Sequence, residues 1–189
     1  VGKLLHVMRW TKPNLLDAVR ETSRFMTGAV DGHMEALKRI MRYCVSTAKR
    51  GLVLKPEGIW DGTKKYLFTI EGISDFEYAK DETRQSVNRW STFLCGAPIS
   101  YCRKMMPIVA LLVTKAELYL AVLCAQDMLF AMRIMNAMQL KVEMPMYLFV
   151  NNKGAKELCN NWFVGGGTQH VEVKQYFLPE LKEAGLIEV

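Results

Sequence analysis

The stretch from Val113 to Met138 constrains the fold more than any other part of the chain. Its apolar residues run on with only Lys115, Glu117, Asp127 and Arg133 as charges, and the pattern predicts one long helix. Met128, Met132, Met135 and Met138 lie on it, and Met105 and Met106 come shortly before it. They are expected to fill a core as flexible apolar side chains, not to form a cofactor box. The apolar runs Ile108–Val113 and Leu118–Cys124 are separated by Lys115 and Glu117. No run approaches the roughly 20 apolar residues that a membrane helix needs, so no membrane span is expected.

A helix of this kind needs something to pack on, and the flanking sequence supplies strands. Tyr66–Ile73 alternates and predicts a strand; Trp90–Leu94 and Ile99–Cys102 predict two more, joined around Gly96-Ala97-Pro98. After the long helix, Tyr147–Val150 reads as a buried strand and Asn151–Asn160 as a short helix. Gly165-Gly166-Gly167 reads as a flexible loop, Val173–Ala184 as a helix and Leu186–Val189 as a last strand. Upstream, Pro13 and Asn14 open a helix that Gly28 ends, and Asp31 is expected to cap a second one ending before Gly51. Pro56–Lys65, with Gly58, Asp61 and Gly62, marks a boundary. Two regions result: residues 1–54, helical, and residues 55–189, strands and helices in the order three strands, helix, strand, helices, strand.

The formal net charge is +6. Such a balance fits a polyanionic partner such as nucleic acid, and equally a basic domain with no such partner. Lys38, Arg39, Arg42, Lys49 and Arg50 fill the polar face of the second upstream helix and just beyond. That face is either simply solvated or a nucleic-acid track. The five cysteines are odd in number and none is spaced CxxC. Disulfide scaffolding and a zinc site are therefore not expected, and an intracellular, reducing compartment is. Val1 is not a methionine, which fits a fragment, a processed product or a chain numbered from a late start.

At Ser74 the pattern becomes specific. Ser74-Asp75-Phe76-Glu77-Tyr78-Ala79-Lys80-Asp81, followed by Arg84 and Ser86, resembles the SDADWAGD…RKS signature that opens the RNase H domain of copia-type retrotransposon polyproteins. Gly96–Ser100 with Lys104 is similar to the family's GxPISWxSKKQ hairpin. Pro107–Glu117, PIVALLVTKAE, resembles PTVALSSTEAE; Leu148–Ala155, LFVNNKGA, resembles IYCDNQGA; Thr168–Glu172, TQHVE, resembles TKHID. Val1–Leu54 is similar to the end of the family's polymerase region, so the resemblance covers nearly the whole chain. The polymerase's YxDD motif is not in the chain.

The resemblance implies an α/β fold, an RNase H-like mixed sheet flanked by helices, with an N-terminal helical segment resembling the end of the reverse transcriptase. It also implies a reaction, cleavage of the RNA strand of RNA–DNA hybrids by two magnesium ions held between clustered carboxylates. Carried over residue by residue, Asp75 matches the first catalytic Asp and Glu117 the helix Glu. Asp75's strand position is expected to put it at the sheet's edge, facing the long helix. Asn151 stands where the family has a third Asp; an amide keeps the shape but loses the charge. The fourth carboxylate lies in a family segment that follows a strand resembling Leu186–Val189, and it is expected to be absent. Lys115 replaces a Glu and Arg89 a Gly.

Asp75, Glu117 and Asn151 are thus a catalytic remnant, with Asp75 and Glu117 as weak metal ligands at most. No cofactor is expected, or Mg2+ if the site is active. Arg84, Arg89, Arg103, Lys104, Lys38, Arg39 and Arg42 are the candidate nucleic-acid contacts. The expected function is that of a catalytically degenerate module, a structural or nucleic-acid-binding scaffold acting as a subunit of a larger assembly. Its partners would be RNA, an RNA–DNA hybrid or protein. The alternative is an active two-metal RNase H.

Overall fold

The computed structural model describes residues 1–77, 87–105, 113–160 and 169–189. The expected loop at Gly165-Gly166-Gly167 and the candidate contact Arg84 lie outside the described residues. The chain forms two compact units, Val1–Leu54 and Lys55–Val189.

In the first unit α1 spans Gly2–Trp10, a 3-10 turn covers Pro13–Leu15, α2 spans Leu16–Arg24 and α3 spans Asp31–Ser46. Pro13 opens the turn because its fixed φ and missing N–H suit the first helical position. Met8, Leu15, Val19 and Ile40 are buried together, with Leu4, Leu5, Leu16 and Cys44 packed around them. The expected cap at Asp31 is corrected: Val30 is the N-cap, and its N–H donates to His33 Nδ1 at 3.2 Å. Asp31 sits in the first turn, where a negative charge meets the positive end of the helix dipole.

The other end of α3 is closed by a lysine from far upstream. Lys12 is only 9% exposed. Its Nζ donates to the Thr47 carbonyl at 2.7 Å, to Thr47 Oγ1 at 2.9 Å and to the Arg50 carbonyl at 2.9 Å. A buried ammonium is tolerable because three acceptors replace its water and the helix C-terminus favours a cation.

In the second unit the elements are β1 (Leu67–Phe68), β2 (Ile70–Glu77), β3 (Val87–Leu94), β4 (Ala97–Met105), α4 (Val113–Ala137), β5 (Lys141–Val142), β6 (Met146–Val150), α5 (Lys153–Asn160), α6 (Gln169–Glu183) and β7 (Ile187–Glu188). The main sheet has the order β4-β3-β2-β6-β7, and β1 pairs with β5 separately. β2, β3 and β4 form an antiparallel meander; β6 runs parallel to β2, and β7 parallel to β6. The parallel pairs need helical crossovers, which α4 and then α5 with α6 provide. At the β3–β4 hairpin both central residues have positive φ, Cys95 at 48° and Gly96 at 75°, as a tight turn matched to strand twist requires. The second unit is thus an RNase H-like mixed sheet flanked by helices, and the first unit is helical.

α4 lies on the sheet along β2. A Cβ at Gly72 would stand 2.5 Å from Met128 Sδ and 2.8 Å from Cys124 Sγ, so a side chain there would force these buried neighbours to shift. Met128, Met135, Cys124, Leu118 and Leu148 are buried there with Ile70 and Ile187. The expected core role of the methionines holds for Met128 and Met135, whereas Met138 is 61% exposed. Ala116–Ala137 of α4 is long and apolar enough to cross a membrane by length and composition alone, and more than half of it is buried in the unit. The expectation that no span reaches that length is therefore corrected. A helix packed on a sheet and flanked by other helices is apolar around most of its surface for the same reason as a lipid-facing one. All five cysteines are free thiols, with Cys95, Cys124 and Cys159 buried.

Candidate functional site

Asp75 lies near the C-terminal end of β2. The expectation that this is a sheet edge is corrected: β2 is the middle strand, because β6 adds on its far side from β3. Asp75 stands opposite Arg89 on β3, and Arg89 opposite Arg103 on β4. Three charged residues thus occupy one rung of the sheet: Asp75 and Arg89 are an opposite-charge pair, whereas Arg89 and Arg103 are like charges, a neighbourhood that costs unless the carboxylate offsets it.

Glu117 sits in the second turn of α4 and is 5% exposed. Among the described residues its Oε2 has no hydrogen-bond partner. Burial, and secondarily the negative charge of Asp75, raise the Glu117 carboxyl from 4.5 to about 7. Both effects disfavour the ionised form. The Cys159 thiol on α5 is pushed up to about 12 by burial and then by Glu117. It is a buried, protonated neighbour of the carboxyl and no nucleophile.

Asn151 is exposed and directly follows β6. The last β2–β6 pair is Ser74 with Val150, so Asn151 and Asp75 are the next residues on adjacent parallel strands. The chain then turns into α5, where Asn152 Oδ1 accepts the Ala155 N–H at 3.0 Å as a helix-start bond. A Cβ at Gly154 would be 3.3 Å from Thr114 Cγ2, which sets this turn against the start of α4, just before Glu117. The fold therefore brings Asp75 and Glu117 within electrostatic reach and puts Asn151 at the end of the neighbouring strand.

Among the described residues no group of three or more His, Cys, Asp or Glu side chains could hold a metal ion. Among the described residues the donor set falls short of what a close magnesium pair takes. It offers one carboxylate, one carboxyl with its proton affinity near neutrality and one amide oxygen, where two hard cations need several anionic oxygens between them. The side chain of Lys115 lies outside the described residues.

The candidate nucleic-acid contacts are scattered. Lys38 and Arg42 are exposed on α3, and Lys38 Nζ pairs with Glu35 Oε1 at 2.8 Å. Arg39 is exposed beside them. Arg89 is half-buried and Arg103 only 5% exposed, which leaves Arg103 little surface for a phosphate. The side chain of Lys104 lies outside the described residues.

Sequence reasoning missed a polar pair under α4. Thr92, fully buried on β3, donates from Oγ1 to Asp127 Oδ2 at 2.8 Å. The pair lies at a groove of about 400 Å3 lined also by Leu94, Ile99, Phe130 and Ile134. Alternation of Thr92 with its neighbours hinted at an inward side chain, but nothing local pointed to Asp127, 35 residues on.

No family model matches the chain, and no solved structure does. Among curated proteins, it is 26% identical over 190 aligned residues to the retrovirus-related Pol polyprotein from transposon RE1 of Arabidopsis thaliana, covering all of this chain and 12% of that protein. It is 27% identical over 182 residues to the corresponding polyprotein from transposon TNT 1-94 of Nicotiana tabacum, covering 96% of this chain and 13% of that protein. It is also similar to secreted RxLR effector protein 161 of Plasmopara viticola, 36% identical over 118 residues, which cover 62% of this chain and 78% of that protein. The chain thus spans only about an eighth of the length of the polyproteins it matches. End-to-end similarity to these polyproteins identifies the chain as a region derived from a copia-type retrotransposon Pol polyprotein.

Proposed function

We propose that this region is a catalytically degenerate RNase H-like module that works by binding, as a nucleic-acid-binding scaffold within a larger assembly. The observation that carries the reading is the state of the carboxylate cluster. Asn151 supplies no charge, and Glu117 is buried beside Asp75 with its carboxyl raised to about 7. Around neutral pH such a pair offers between one and two negative charges, too few to offset the repulsion of two close divalent ions. The core that positions the cluster is nonetheless well packed, with Met128, Leu148 and Leu178 fully buried, which fits a fold kept for something other than cleavage.

The similarity to an RxLR effector supports the idea that such a region can work apart from polymerase chemistry. In that relative the matched segment makes up 78% of the protein, and its name describes a secreted effector. For the present chain, free thiols throughout fit a reducing compartment.

The test is cleavage of an RNA–DNA hybrid with magnesium or manganese by the chain as it stands. The expected result is no metal-dependent cleavage above background. Robust cleavage that Asp75→Asn abolishes would overturn the reading and restore a two-metal nuclease.

A further inference from the structure

The helix α4 packs on β2 and β3 and against α5 and α6. Beside the β3–β4 hairpin it leaves open the groove of about 400 Å3. The walls of this groove are apolar, and Phe130 and Ile134 of α4 and Ile99 of β4 are all exposed there. Asp127 is the single charged residue of the lining. It is half-buried and accepts a hydrogen bond from Thr92, and among the described residues no cation pairs with it. Its negative charge is felt by Cys124, whose thiol is pushed up to about 12 by burial and then by Asp127. A carboxylate between apolar walls is costly until a cation meets it. The groove therefore calls for an apolar occupant that ends in a positive charge.

The chain itself carries such a segment, Leu52-Val53-Leu54-Lys55. It belongs to no helix or strand. Val53 is 75% and Leu54 61% exposed, apolar surface of the kind that marks an interaction site when it is contiguous. Among the described residues the backbone of this segment makes no hydrogen bond, and the exposed Lys55 has no acidic partner. The lengths also agree. Three steps of extended chain, from Leu52 to Lys55, span about 10 Å, and the rise along α4 from Asp127 to Ile134 is about 10 Å as well.

We infer that residues 52–55 of a second copy of this chain fill the groove, with Lys55 against Asp127 and with Val53 and Leu54 against Phe130 and Ile134. Exchanged both ways, the contact closes as a twofold dimer. Each groove takes only four residues, so the buried area is small and the dimer is weak, formed at concentrations on the order of tens of micromolar and lost on dilution. The apolar contact supplies the attraction, and the ion pair sets the register and the choice of partner.

The experiment is sedimentation equilibrium of the full chain over a dilution series, with circular dichroism as a folding check on every variant. The mass of the parent should rise from one chain towards two. Lys55→Glu and Asp127→Lys should each weaken self-association at least about tenfold, because each sets like charges against one another. An equimolar mixture of these two variants should associate like the parent, since in the mixed pair one contact has both charges reversed and the other has neither. Leu54→Ser should weaken association too, whereas Arg133→Glu, exposed on α4 outside the groove, should leave it unchanged. A parent that stays monomeric throughout overturns the proposal. So do two folded single variants that dissociate and fail to associate when mixed, and so does equal weakening by Arg133→Glu, which would mean bulk charge. Should Asp127→Lys fail the folding check, the variants of the exposed segment decide alone: association unchanged in Lys55→Glu and Leu54→Ser overturns the proposal.

Discussion

The charge of Asp75 reaches Glu117 and, after burial, is the second cause that raises the Glu117 carboxyl to about 7. The direction fixes a pH dependence. A carboxyl with a folded pKa above its ordinary 4.5 binds its proton more tightly in the folded state. Its contribution to stability is fully present below pH 4.5 and is lost as pH rises to about 7, with no further change above. Glu117→Gln removes the titration, so melting temperature should fall less between pH 5 and pH 8 in the variant than in the parent. The variant should be the more stable of the two at pH 8. A parent whose melting temperature rises over that interval while the variant's stays level would refute the buried-carboxyl account.

Thr92→Val tests the polar pair under α4. The substitution keeps the shape and removes the donor to Asp127 Oδ2. Thr92 is fully buried, but Asp127 is half-buried at the groove, so water can replace only part of the lost bond. A cost of about 1–2 kcal/mol is expected, read from the denaturation midpoint at unchanged slope. An unchanged midpoint would mean the hydrogen bond is absent in solution.

Much of this architecture was legible before any coordinates. The apolar run of α4 and the alternation ahead of β2 are local signals, and these elements lie within a few residues of their expected spans; the turn expected around Gly96-Ala97-Pro98 sits one residue earlier, at Cys95-Gly96, because Ala97 and Pro98 already pair in β4. What failed was non-local. α1 had no expectation of its own, and two-residue strands such as β1 and β5 are too short to show a period. The central position of Asp75 depends on β6 pairing with β2, a contact between segments about 75 residues apart. The burial of Arg103 depends on what covers its strand, which one strand's pattern does not contain. For the candidate site, the family resemblance named Asp75, Glu117 and Asn151. The shifted acidity of Glu117 and its neighbour Cys159 come only from three-dimensional packing.

Lys12→Met tests the cap on α3. Methionine keeps the apolar stem and removes the ammonium, leaving the Thr47 and Arg50 carbonyls and Thr47 Oγ1 without this donor. Hydrogen bonds from a charged donor are worth about 1.5–3 kcal/mol, so the loss should be at the upper end of that range. Amide exchange in the last turn of α3 and through Arg50 should speed up, while exchange in β2 and β6 should hardly move. Uniform acceleration across both units would argue against a local cap.

Asn151→Asp tests how far the cluster is from holding a metal. The new carboxylate would follow β6 beside the strand that carries Asp75. Without metal it adds like charge, so it should raise the Glu117 carboxyl further and lower the melting temperature at pH 8. A hard divalent cation reverses the sign, because it binds the folded cluster and not the unfolded chain. Magnesium should therefore raise the melting temperature of the variant and leave the parent nearly unmoved. The variant should still not cleave an RNA–DNA hybrid, since three carboxyl groups, one of them reluctant to ionise, can seat one cation but not a close pair. Two measurements decide it, thermal melts at pH 8 with and without magnesium, and a hybrid cleavage assay on the same samples. If magnesium stabilises the parent as much as the variant, Asn151 is no obstacle to metal binding. If the variant cleaves, one lost charge was the whole defect.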